Sequence, residues 1–312
     1  MARWKRQVML FEAEATYGVD PTPAGADNAV LFEADAELTP LGAEYVNRNL
    51  VKVERGTDPM PVVGEHIRVN FAIEAAGAGG VATAPKYGPL LRACGLAETI
   101  TPTTGPVDYD PISASDESGT LYFNRDGTNY KLTGCRGSVA LELTRRQVPK
   151  WRFAIIGLYN APAAVALPSA AFTGWQAGIP ATIVNTPTFS LHAHSPVFAS
   201  LTLDLANDVR FRDLIGTGGR SIEIIDRNPV GQVVIEAPAL GSKDYHAICK
   251  SGATGALSLV HGTSAGQKVL AAAPAVQLTN PRPVDLDGME GLQMDLMLHR
   301  DEGDDEVVFS TQ

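Results

Sequence analysis

The 312-residue chain carries 25 Lys and Arg against 35 Asp and Glu, a formal net charge of −10, with 45% apolar residues. That apolar share supports a real core and excludes global disorder, and the length allows two ordinary domains or one large one. The acidic balance excludes a protein that grips nucleic acid by counterion release.

The 30 Gly and 21 Pro, with Val, Thr, Leu and Ile in short runs, predict many short strands joined by turns. Cys94, Cys135 and Cys249 are far apart and form no CxxC, so neither a disulfide framework nor a zinc site is expected. They read as small apolar residues in a reducing compartment. No apolar run reaches the roughly 18 residues of a membrane span. The start MARWKRQVMLFEAEATYG is not read as a secretory signal, because Glu12 and Glu14 break its apolar run.

Residues 1–30 read as an N-terminal arm, with a strand-like start and the turn-rich YGVDPTPAGADN. A first unit follows over residues 31–159, a linker or arm over 160–195, and a second unit over 196–312. The division rests on an internal repeat. NRNLV (47–51) reappears as FRDLI (211–215), NFAIEA (70–75) as QVVIEA (232–237), and PKYGPLLRACG (85–95) as SKDYHAICKSG (242–252). NRNLV and FRDLI are expected to be equivalent strands, each just before a long loop.

Each unit carries one predicted short helix. In the first, Pro89 suits the opening turn; in the second, Ser242 is the expected N-cap and Gly252 the residue past the end. A hairpin region follows in each, GTLYFNRDGTNYKLTGCRGSVALEL (119–143) against GALSLVHGTSAGQKVLAAAPAVQL (255–278), with Val139 matched to Val276. Asp126-Gly127 is a strong two-residue turn signal. The last strands are WRFAIIGL (151–158) and GLQMDLML (291–298), and HRDEGDDEVV (299–308) reads as an acidic turn before a final strand. The expected fold is mainly β: two tandem β-sandwich or barrel units, each with one short flanking helix.

Two loops occupy the same place in each unit, KVERGTDPMPVVGEH (52–66) and GTGGRSIEIIDRNPVG (216–231). Long loops in compact domains are often functional, so both are candidate docking arms. The linker, with Phe172, Trp175 and Ile179, is expected to lie on a surface of its own chain or a neighbour's. No GxGxxG after a strand, GxxxxGK[ST], HExxH or GxSxG occurs. His192 and His194 alternate, and on a strand would share a face, but no third ligand is near. No cofactor, metal or catalytic residue is predicted.

EATYGVDPTPAGADNA (14–29), YGPLLRACG (87–95), LTGCRGSVALEL (132–143), GLYNAP (157–162), FRDLIG (211–216) and QLTNPR (277–282) together resemble the tail tube proteins (major tail proteins) of long-tailed bacteriophages. The resemblance runs in order over nearly the whole chain. It implies a non-enzymatic virion protein, made in the host cytoplasm, that stacks in rings around the channel through which the genome leaves. The implied partners are the chain itself, the tape measure protein and DNA in the lumen, and tail terminator and distal tail proteins at the ends.

Tubes of this kind are typically sixfold, so two tube domains per chain imply rings of three chains. Arg55, Asp58, Pro61, Arg220, Asp226 and Arg227 are then expected at inter-ring docking loops, and Arg48, Asn49, Arg212 and Asp213 at the ring seam. An acidic lumen would let DNA slide; Glu74, Glu142, Asp204, Glu236 and Asp295 alternate outward on predicted strands and are its candidates. Two other readings stand beside this one. The chain could be a decoration or receptor-binding module of a phage, or an enzyme with a site near His192, His194 and Asp204.

Overall fold

The computed structural model describes residues 3–53 and 55–312. The first half contains β1 (Gln7–Ala13), β2 (Ala29–Val30), β3 (Glu37–Tyr45), β4 (Val62–Glu74), α1 (Gly88–Arg92), β5 (Leu96–Ile100), β6 (Val107–Pro111), β7 (Gly119–Arg125), β8 (Thr128–Thr144) and β9 (Lys150–Tyr159). A connecting segment follows, with β10 (Ala163–Ala164) and β11 (Thr188–Leu191). The remainder holds β12 (Phe198–Asp204), β13 (Asn207–Asp213), β14 (Arg220–Arg227), β15 (Val230–Glu236), α2 (Tyr245–Ser251), β16 (Thr254–His261), β17 (Val269–Leu286), β18 (Met289–His299) and β19 (Val308–Thr311). The architecture is mainly β and antiparallel.

Hydrogen-bonded neighbours in the first half run β3–β4–β9–β8–β7–β1. Later in the chain they run β12–β15–β18–β17–β16–β11, the same order. A helix follows β4 and another follows β15. The ladders join where β8 takes β12, with Leu143 opposite Leu201 and Leu141 opposite Leu203. One antiparallel ladder therefore reads β3–β4–β9–β8–β12–β15–β18–β17, half its strands from each side of the junction.

Alternation along these strands separates core from surface. Ile67, Val69, Phe71 and Ile73 of β4 are buried with Trp151, Phe153 and Ile155 of β9 and Leu141 and Leu143 of β8. Leu201, Leu203, Val233, Ile235, Leu292 and Met294 continue the apolar layer into the second half. Phe71 stacks on Phe153 at 5.3 Å, and Phe309 meets Trp151 edge-on at 4.9 Å. Phe309 lies on β19, which pairs with β6 and so closes the C-terminal strand onto the first half.

Register defines the correspondence between halves. Ile73 faces Trp151, which faces Leu141; Ile235 faces Leu292, which faces Pro283. The two Ile-Glu-Ala motifs hold the same place, and Leu141 corresponds to Pro283. The match of Val139 to Val276 is corrected: Val139 corresponds to the bulge at residues 280–281. The shift arises because β8 bulges between Thr133 and Arg136 whereas β17 bulges between Thr279 and Arg282.

The strand-like start of residues 1–30 agrees with its sequence reading, since residues 7–13 pair with β7 and bury Met9, Leu10 and Phe11. Several other segments differ from theirs. NRNLV is not a strand. Its Asn47 side chain accepts the Asn49 N–H at 2.9 Å and Asn49 takes φ 45°, a local turn that competes with extended pairing. FRDLI is strand only through Asp213. The second long loop is largely β14, because residues 220–227 pair with β13 into a hairpin that buries Ile222.

Helix α2 is capped by Asp244, whose carboxylate accepts from the Ala247 N–H at 2.9 Å; the Ser242 N–H instead bonds Ala239 in the preceding turn. Pro89 opens α1, Gly252 takes the left-handed position past α2 with φ 68°, and Asp126-Gly127 turns β7 into β8. The linker lies on its own chain, where the Trp175 indole donates to the Ala29 carbonyl at 3.0 Å.

Candidate assembly surfaces

The face of the long ladder opposite the core is polar. Glu74 pairs across with Lys150, Lys150 with Glu142, Glu142 with Thr202, Thr202 with Gln232, and Gln232 with Asp295. Cross-strand partners share a face, so these form one row over six strands. Asp204 and Glu236 lie two and four residues from that row on β12 and β15. All five carboxylates singled out in the sequence therefore share one face, although they come from both halves.

That face is not purely acidic. It also presents Arg68, Lys150, Arg152 and Arg282, and most of these cations meet carboxylates. Arg152 pairs with Glu142 at 2.7 Å, Lys150 with Glu33 at 2.7 Å, and Arg282 with Asp295 at 3.4 Å. The Asn280 and Gln232 amides donate to Asp295 at 2.9 and 3.1 Å and hold its carboxyl below the usual range. Asp204 accepts the Ala206 N–H at 2.7 Å, and Glu74 accepts the Gly178 N–H of the linker at 2.7 Å.

The β13–β14 hairpin leaves the end of β12 and crosses the first half. Arg136 of β8 fixes it there. Its guanidinium donates to the Ile222 carbonyl at 2.7 Å and the Asp116 carbonyl at 2.8 Å, and pairs with Glu223. The Tyr17 hydroxyl accepts the Ile222 N–H at 2.5 Å, and burial raises its pKa. Asn207 donates to the Cys94 and Gly137 carbonyls at 2.7 and 3.0 Å. Sequence reading missed Arg136; its one signal is its setting in GCRGS, where small neighbours let a second backbone approach.

The two predicted docking loops differ in placement. Arg55 and Pro61 are exposed on the 46–61 excursion, where Asp58 pairs with Lys52. On the hairpin, Arg220 pairs with Asp213 at 3.0 Å and Glu65 at 3.2 Å, and Asp226 is exposed. Arg227 points inward, with Glu306 at 3.2 Å and Asp304 as partners and a hydrogen bond to the Ile112 carbonyl. Arg48 and Asn49 are exposed outside any strand, whereas Arg212 and Asp213 are on β13, so these four do not occupy equivalent strands.

A cleft of about 570 Å³ opens at the foot of the hairpin, lined by Gly95, Ile112, Asn207, Arg227, Asp304 and Glu306. Within it Arg227 is engaged by Asp304 and Glu306. His192 and His194 are not on a strand face: β11 ends at Leu191, and His192 and Ala193 take φ 52° and 57° in a tight turn. The His192 Nε2 donates to the Val276 carbonyl at 2.8 Å, and the His194 ring bonds the Tyr245 hydroxyl at 3.2 Å. Asp204 joins neither. Among the described residues, no group of three His, Cys, Asp or Glu side chains is placed to hold a metal.

No curated protein matches the chain. The model of the phage tail tube protein family matches residues 4–294, and with that span the chain belongs to the phage tail tube protein family.

Proposed function

We propose that the chain self-assembles into stacked rings that form the tail tube, the conduit for genome delivery into the host. Family membership makes it a structural component of the virion tail that assembles with itself into a tube. The finer reading is rings of three chains, each supplying two equivalent tube domains, with no catalytic role. The tape measure protein and DNA occupy the lumen in turn, and terminator and distal tail proteins meet the two ends. Synthesis takes place in the host cytoplasm.

One observation carries this reading. The two halves supply equivalent strands to a single ladder whose one face is core and whose other is polar. A heterologous contact repeated around such a unit closes into a ring, and stacking that does not close makes a tube. The polar face suits a conduit, since its cations are largely engaged by carboxylates and do not form a track for phosphates. Exposed residues such as Arg55 and Pro61 suit contact with an adjoining ring. Among the described residues, no helix is long and apolar enough to cross a membrane.

Electron microscopy of the purified protein at high concentration tests the proposal. Rings or tubes with threefold or pseudo-sixfold end views are expected, with a ring mass of three chains in solution. A chain that stays monomeric or dimeric at all concentrations overturns it. Rings of six chains keep the function and remove the trimer.

A further inference from the structure

The long ladder has two open ends. At one, β3 pairs only with β4; at the other, β17 beyond Gln277 pairs only with β18, among the described residues. Each open edge has a paired counterpart inside the chain. Leu38 faces Val69 as Leu203 faces Gly231, and these partners precede the matching Ile73 and Ile235 by the same interval. β3 thus holds the place of β12. Residues 282–286 hold the place of the end of β8, since Pro283 corresponds to Leu141. Inside the chain those counterparts are joined, Leu203 opposite Leu141 and Thr202 opposite Glu142.

We propose that the β3 edge of one copy pairs antiparallel with the β17 edge of the next, in the register of the internal junction: Leu38 opposite Pro283 and Glu37 opposite Val284. The inference rests on the tube reading above and names the seam that closes its ring. It replaces Arg48 and Arg212 as the seam.

The chemistry of the edges fits a selective contact. The Leu205 N–H donates to the Val139 carbonyl and the Arg145 N–H to the Ala199 carbonyl, so odd-numbered residues of β8 turn their backbone toward β12. Their counterparts include Pro281 and Pro283, which offer carbonyls but no N–H. Pro40, the counterpart of Leu205, is likewise without a donor. Such edges are poor templates for indiscriminate strand addition. In register, the Leu38 N–H still reaches the Pro283 carbonyl.

The hairpins supply the second observation. The internal junction is reinforced by β13–β14, which continues β12 and is seated on the first half through Arg136. The β3–β4 hairpin continues β3 and touches the β13–β14 hairpin of its own chain, where Glu65 pairs with Arg220 at 3.2 Å and the His66 ring lies 5.4 Å from Phe211, but part of its apolar surface stays open. Val62 and Val63 are 40% and 38% exposed, whereas Ile222 in the corresponding arm is 0% exposed. Leu91 of α1 is buried, whereas its counterpart Ile248 of α2 is half-buried. A neighbouring copy that places its β3–β4 hairpin over the second half covers both.

A cysteine pair, Glu37→Cys with Val284→Cys, tests the register in a Cys249→Ser background. The pair matches a non-hydrogen-bonded site, where Cα atoms lie about 4.5 Å apart and a disulfide can form. Oxidation of the assembled protein is expected to give interchain dimers and then covalent trimers on non-reducing gels, with either single variant remaining monomeric. Thr202→Cys with Glu142→Cys is the intrachain control. Rings or tubes in which the control oxidises and the Glu37–Val284 pair does not would overturn the seam and leave the tube function standing. Wild-type protein that never assembles overturns both.

A second variant covers the case in which the cysteine chain fails to assemble. Leu38→Pro removes an N–H that points away from β4. It is expected to raise the concentration needed for rings at least tenfold while the unassembled chain melts as before; unchanged assembly overturns the seam.

Discussion

Arg136 donates to the Ile222 carbonyl at 2.7 Å, and through that bond a strand of the first half holds a hairpin of the second. The side chain is only 9% exposed and meets carbonyls from three backbone positions as well as the Glu223 carboxylate. Arg136→Ala removes the donor that these acceptors share. A loss of about 2–4 kcal/mol is expected, since a broken buried network costs more than the average hydrogen bond. Denaturant unfolding measures the loss, and hydrogen exchange should rise first over residues 220–227. Protection unchanged in that hairpin would show that Arg136 does not hold it.

The internal junction is apolar on its core side. Leu141 and Leu203 face each other and are each at most 1% exposed. Leu141→Ala or Leu203→Ala should each cost about 2–5 kcal/mol, the range for a leucine cavity in a packed interior. Combined, they should cost less than the sum, because they share one cavity. Full additivity in a double-mutant cycle would place the two side chains in separate environments.

Stability should fall in mild acid. Burial pushes the imidazoles of His192 and His261 below the ordinary histidine value; a carbonyl bond opposes the shift in each. Both rings are already bonded in neutral form, His261 to the Ile179 carbonyl and the Thr186 hydroxyl at 3.0 Å each. Below about pH 6.5 the unfolded chain takes up protons that the folded chain refuses, so stability drops as pH falls through that point. Carboxylates held low, such as Asp295 and Asp304, act in the same direction but at lower pH. Melting temperature at pH 5.5 should lie below that at pH 7.5, and His261→Gln should flatten the difference. An identical slope in that variant would assign the acid sensitivity elsewhere.

Gly252 ends α2 in the left-handed region with φ 68°. Gly252→Ala should cost about 1 kcal/mol, because a Cβ is disfavoured there. Thermal unfolding of the chain at fixed concentration measures it, and a neutral or stabilising result would contradict the cap geometry.

Glu236 is exposed on the polar face of the ladder. If that face lines the conduit, Glu236→Lys together with Asp295→Lys should slow DNA ejection while tubes of normal diameter still form. Ejection kinetics from intact phage with single-particle detection provide the readout. Normal ejection in the double variant would place this face away from the DNA.

Much of the fold was legible because it depends on local pattern. Alternation in residues 151–158 and 291–298 gave β9 and β18, Asp126-Gly127 gave a hairpin, and Pro89 and Gly252 marked helix ends. The Ile-Glu-Ala motifs located corresponding strands, since both sit where a core-facing isoleucine is followed by a surface carboxylate. NRNLV misled for the same local reason: its likeness to FRDLI is real in letters, but Asn47 turns the chain where Phe211 extends it. The candidate surface was legible only residue by residue. Each carboxylate was recognised as outward-facing, and none could be assigned to a common face.

The sequence by itself determined the class of the molecule, the positions of many of its strands and its family likeness, because side-chain periodicity and turn chemistry act over a few residues. Tertiary structure decided what those strands do together. Register slides strands past one another through bulges such as those at Thr133–Arg136 and Thr279–Arg282, which a linear alignment cannot place. Only that register matches Leu141 to Pro283, brings Arg136 to Ile222, and leaves β3 and β17 as the open edges. Those relationships are set by hydrogen-bond geometry between residues far apart in the chain, and no short stretch of sequence contains them.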